Sequence, residues 1–167
     1  MKEEEHTIRL QKPDLLRIKL EDYEGKEIGC LEFDLEDINL LLRYQDLCER
    51  DKKNRDWLKK ELIIIDKRQD VKGKKLLSKN EEDKQKAYNK FFNDEVEIYN
   101  MFLGKDGVKK FLNGRELGWT TLNEIDDIIT NEIIPLIDKK SKSIEERIMN
   151  KYGRANKEEL QWIILDT

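Results

Sequence analysis

The sequence predicts an α+β fold, predominantly α-helical, with an N-terminal β-hairpin followed by a bundle of four to five helices. Three observations predict it. Leu16, Ile18 and Leu20 alternate with Arg17, Lys19 and Glu21, the period-2 signature of a half-buried strand. Apolar residues then recur at helical spacing behind Asp34 and again between Tyr88 and Leu103. A capped apolar run opening at Thr121 supplies a further helix.

At 167 residues the chain fits a single domain, 1–167. Within it, residues 7–35 read as the hairpin region. In the hairpin, Asp22-Tyr23-Glu24-Gly25 supplies turn chemistry. Beyond the turn the alternation changes parity at residues 29–31, which predicts a β-bulge there. A third short strand is predicted over residues 7–10, ahead of Pro13.

Residues 36–65 read as helical, with Asp34 as N-cap and acids complementing the positive helix end. The apolar pattern weakens between Arg50 and Arg55 and resumes at Trp57. One long helix or two helices meeting near Asn54 both satisfy it. Residues 66–86 are dominated by Lys, Asp, Glu, Gln and Asn, and read as a charged loop or insertion with little apolar area to offset ordering entropy.

Residues 87–167 read as helical. Tyr88, Phe91, Phe92, Val96, Tyr99, Phe102 and Leu103 share one broad face, and Gly104 stands at the helix C′ position. Val108, Phe111 and Leu112 form a short amphipathic turn. Thr121-Leu122-Asn123-Glu124 reads as a capping box, with Pro135 set to kink or end the helix behind it. Ser143-Ile144-Glu145-Glu146 repeats the capping signal.

Composition excludes several function classes. Apolar residues make up 37% of the chain, below the roughly 45–50% of ordinary globular proteins, so large charged faces must be solvated or held by a partner. Net charge is −4, with acids and bases interleaved, which is no footprint for nucleic acid. The basic runs at 72–75 and 139–142 are short and lie close to acids. Residues 1–6 lack the apolar stretch of a secretory signal, and no run approaches the roughly 18 residues needed to span a bilayer. A cytoplasmic protein without membrane contact is expected.

Chemistry is equally sparse. His6 is the single histidine, so neither a triad nor a zinc site is expected. Cys30 and Cys48 form no CxxC and read as reduced core residues. Acid pairs such as Asp126/Asp127 and Glu81/Glu82 occur among 37 acids and read as solvated faces. Neither Gly104–Gly107 nor Gly114–Gly118 matches a phosphate loop. No catalytic residue, cofactor or metal is expected, and the protein reads as a non-enzyme. Trp57 and Trp119 are expected to anchor the core near helix ends. Trp162, Ile163, Ile164 and Leu165 form an apolar tail that must fold back or bind a partner, making them the candidate partner-binding residues.

The order of these pieces resembles the tail assembly chaperones of long-tailed phages and prophages of Gram-positive bacteria. The resemblance is carried by the hairpin running into Leu31-Glu32-Phe33-Asp34-Leu35-Glu36-Asp37, by the stretch from Phe91 through Leu103-Gly104 and Gly107-Val108 to Leu112, and by the capped helix from Thr121 to Ile137. It implies a non-enzymatic protein of virion assembly that binds tape-measure and tail-tube proteins; separately, the apolar strips and the Trp162 tail suit pairing between copies of the chain. A competing expectation is an adaptor or regulatory module of another mobile element, binding a protein partner through the arm at 66–86.

Overall fold

A computed structural model describes residues 7–152 and bears out the mixed, mostly helical class. Strand β1 (Leu15–Glu21) pairs antiparallel with β2 (Glu27–Asp34). Leu16 lies opposite Phe33 and Ile18 opposite Leu31, so one face of the hairpin carries apolar pairs. Arg17 meets Glu32 on the other face, at 2.5 Å. The register shifts between Leu20 and Glu21, leaving Ile28 as the extra residue on β2. The bulge therefore precedes the predicted site at 29–31, and it delivers Leu31 and Phe33 to the core. Residues 7–14 form no strand, so the predicted third strand is absent.

Helix α1 (Leu40–Asp66) is a single helix of 27 residues, about 40 Å long. Asn54 does not break it, which resolves the one-or-two question. Asp34 is not its N-cap. The Asp34 carboxylate instead accepts from Glu36 N in a local turn, Asp37 accepts from Asn39 N, and the helix opens after Asn39.

Helix α2 (Lys79–Leu103) returns antiparallel along α1. Its start corrects the predicted loop at 66–86, since residues 79–86 are helical. Ser78 and Glu81 make the reciprocal cap: Glu81 N donates to Ser78 Oγ at 3.2 Å, and Ser78 N donates to Glu81 Oε2 at 2.7 Å. The preceding linker is held by polar groups rather than apolar area. Asn80 Nδ2 donates to the carbonyls of Ile65 and Arg68, satisfying the end of α1, while Asp70 accepts from Asn80 N. Gly104 ends α2 at φ +91°, a conformation that excludes most side chains.

Helix α3 (Gly107–Leu112) lies over the hairpin, where the Lys110 stem covers Gly29 and its ammonium donates to Cys30 O at 3.0 Å. Helix α4 (Trp119–Ile128) is capped by Gly118, three residues ahead of the expected Thr121. Thr121 is its third residue, and its hydroxyl reaches back to Gly118 N and O, so the predicted Thr121–Glu124 box is not formed. A π turn (Ile129–Ile133) then passes directly into α5 (Ile134–Tyr152).

Pro135 neither ends this helix nor stands at a break. It has no N–H and its ring would crowd the carbonyl four residues back, and the wide turn immediately before it relieves both problems. The same turn aligns the core. Ile125, Ile129, Ile133 and Ile137 are spaced by fours, which drifts about 40° per step on a regular helix, yet all four are buried. Residues 143–146 lie inside α5, so the second capping signal marks no helix start.

Candidate functional site

Three surfaces or clusters in this fold have the chemistry to do something. The first is apolar and lies where the hairpin hands over to α1. Leu41 and Leu42 on the first turn of α1, and Ile38 in the turn just ahead of it, are 47%, 56% and 90% exposed. Leu40 and Leu47 turn the opposite way, into the core. The helix thus carries apolar residues around more of its circumference than the body covers. A second exposed apolar group, Val71, Leu76 and Leu77, lies on the linker between α1 and α2.

The second feature is a cleft of about 430 Å³ between the hairpin tip and α3–α4. Ile28, Phe111, Leu112, Ile125 and Ile128 line it, with Glu21, Asp22, Arg115 and Glu124 among the polar lining residues. An apolar lining with a few charged groups suits the insertion of a side chain more than bond-making chemistry.

The third is a polar seam inside the helical layer. Glu95 on α2 is completely buried, and its Oε1 accepts from Asn54 Nδ2 at 2.6 Å. The same amide donates to Phe91 O at 3.1 Å, so Asn54 ties α1 to α2 twice. Arg55 Nε donates to Asp51 at 2.7 Å on the adjoining turn of α1. Tyr99 donates from its hydroxyl to Asp126 on α4 at 3.1 Å, and Tyr44 shares a 3.2 Å hydrogen bond with Thr130. Burial first, and the neighbouring Asp51 carboxylate after it, push the Glu95 carboxyl up to about 8, against the pull of the Asn54 amide and Arg55. Burial likewise drives the Tyr99 phenol upward, beyond any physiological ionisation.

The residues singled out from sequence fare unevenly. Trp162, Ile163, Ile164 and Leu165 lie outside the described residues, as does His6. Trp57 is half-buried, with the Lys90 ammonium 4.5 Å from its ring centroid. Trp119 is 43% exposed rather than a core anchor; it stacks on Phe91 and meets Tyr88 and Phe92 edge-on. Cys48 is exposed, because the face of α1 turned to the core is the one carrying Leu47, and Cys30 on β2 is half-buried. Asp126 and Asp127 do not act together: Asp126 receives Tyr99, and Asp127 is exposed.

Among the described residues no group of three or more His, Cys, Asp or Glu could hold a metal ion, and no helix is long and apolar enough to cross a membrane. The seam itself was not read from the sequence, although Phe91, Glu95, Ile98 and Phe102 stand at i, i+4, i+7 and i+11, which puts Glu95 within the aromatic stripe. No family model matches this chain, and no curated protein and no solved structure matches it.

Proposed function

We propose that the protein is a non-enzymatic tail assembly chaperone of a long-tailed phage or prophage, binding tape-measure and tail-tube proteins in the host cytoplasm. The family resemblance supplies the identity of the clients. The observation that carries the binding role is the exposed trio Ile38, Leu41 and Leu42. Exposed apolar side chains on the first turn of α1 and just ahead of it, on a chain with 42% charged residues, suit docking of an amphipathic helix while the rest of the surface keeps the protein dispersed. A long tape-measure protein offers many such helices.

The test is co-expression with a coiled-coil segment of a tape-measure protein and, separately, with a tail-tube protein, followed by affinity measurement. Ile38→Asp with Leu42→Asp places charge on the patch without touching the core. Affinity for the tape-measure segment is expected to fall at least tenfold, equivalent to about 1.4 kcal/mol. Unchanged binding by the double variant, or no binding by the parent protein, sinks this reading.

A second reading, an adaptor of another mobile element, is favoured by the linker group, where Leu76 is 91% exposed. Leu76→Asp with Leu77→Asp separates the two. It abolishes partner capture if the linker docks, and leaves the tape-measure interaction intact if α1 docks.

A further inference from the structure

The contact between α1 and α2 contains a carboxyl group whose surroundings suit its neutral form. Glu95 is 0% exposed, and its second oxygen, Oε2, is buried with no hydrogen-bond partner among the described residues. An ionised carboxylate there would hold a full charge away from water with half its acceptor capacity unmet. The groups facing it come from three helices. From α1 come Asp51, Asn54 and Arg55, with Asp51 already holding Arg55. From α2 itself come the Phe91 carbonyl, which shares the Asn54 amide, and Tyr99. From α4 comes Asp126, reached through the Tyr99 hydroxyl.

The acids outnumber the base. Asp51 stands one turn before Asn54 on α1 and neighbours Glu95, and two carboxylates can join only when one of them carries a proton. Glu95 is the deeper of the two and so is the one that keeps it, while Asp51 is paired with Arg55.

We propose that Glu95 is a proton-operated latch between α1 and α2: protonated, its Oε2–H donates to Asp51 and closes the helix pair; ionised, it sets a second buried negative charge beside Asp51 and releases this stretch of α1 from α2. The step transfers one proton from Glu95 to solvent and breaks one hydrogen bond. What it uncovers is the apolar lining of the pair, including Leu47, Leu58 and Phe91. The latch concerns the interior of the pair and stands independently of the docking patch on α1.

The sign follows from linkage. A buried acid with a raised folded-state value stabilises the closed form fully below its unfolded value, and that stabilisation is lost as pH rises. The window runs from the ordinary 4.5 to about 8. Across it the opening equilibrium shifts toward the open form by about tenfold per pH unit.

Amide hydrogen exchange, corrected for intrinsic rates, tests this between about pH 5 and pH 8 on the full chain. Protection around Asp51–Leu58 and Phe91–Tyr99 is expected to fall by about tenfold per pH unit, with β1–β2 much less affected. Glu95→Gln keeps the shape and a donor for Asp51 and is expected to flatten that dependence. Asp51→Asn can donate to the ionised Glu95 and is expected to close the window from its upper end. It also serves where Glu95→Gln does not fold. In the infrared, a protonated-carboxyl stretch present near about pH 6 should vanish in Glu95→Gln. Protection that does not change with pH, an equal loss across the hairpin, or an unaltered profile in Asp51→Asn overturns the proposal.

Discussion

At the scale of single residues, the core depends on a few large side chains with no exposure to spare. Phe91 is 0% exposed, stacks on Trp119 at 5.0 Å and lends its carbonyl to Asn54. Phe91→Ala removes the ring from between α2 and α4 and is expected to cost about 3–5 kcal/mol in chemical denaturation. Gly107 presents a different constraint. A Cβ there would sit 2.4 Å from Leu103 Cβ, so the start of α3 must shift to admit one. Gly107→Ala is expected to cost about 1–3 kcal/mol by the same measurement, the range for forced overpacking. Both positions carry sequence signals, an aromatic in a stripe and a glycine after a helix stop. The penalties come from neighbours distant in sequence or around a corner.

At the scale of elements, each helix is set by its ends as much as by its apolar face. The box at Ser78 and Glu81 starts α2 inside a stretch whose composition reads as loop. The pattern S-x-x-E was present at 78–81, but 66–86 contains so few apolar residues that composition outweighed it. Ser78→Ala is expected to cost about 1 kcal/mol and to speed amide exchange in the first turn of α2 before any other part of the helix. Unchanged exchange there would mean that Asn80 and Asp70 hold the end without Ser78. In α1, Leu40, Leu47 and Asn54 recur every seven residues on the buried side. Asn54 therefore continues a pattern that looks interrupted when only apolar residues are counted.

At the scale of the whole molecule, stability should follow an unusual pH profile. Half-buried carboxylates such as Asp37, held down by Arg43, and Asp83, held down first by its hydrogen bond to Lys79, have values below the ordinary 3.8. Their contribution is present above that value and is lost as pH falls through their folded-state values. Glu95 acts in the opposite sense, losing its contribution between 4.5 and about 8 at about 1.4 kcal/mol per pH unit. The two slopes meet near about pH 4–5, so the maximum in stability is expected there rather than near neutrality. Urea denaturation across the range checks it, and a maximum above about pH 6 would contradict the assignment of Glu95 as neutral in the folded protein.

Local order in this chain was legible because it is written in neighbours a few positions apart. Period-2 alternation in β1, helical spacing in α1 and α2, and Gly104 as a stop each depend on residues within one or two turns. Those signals were enough for an N-terminal hairpin and a helical body. Tertiary structure decided which of several apolar faces would be covered, since α1 has more apolar circumference than one partner helix can bury. Ile38, Leu41 and Leu42 were left outside and Leu47 taken in. Tertiary structure also decided the state of Glu95: a carboxylate on a helix reads the same in sequence whether water or Asn54 faces it, and only the packing of α1 against α2 removes the water.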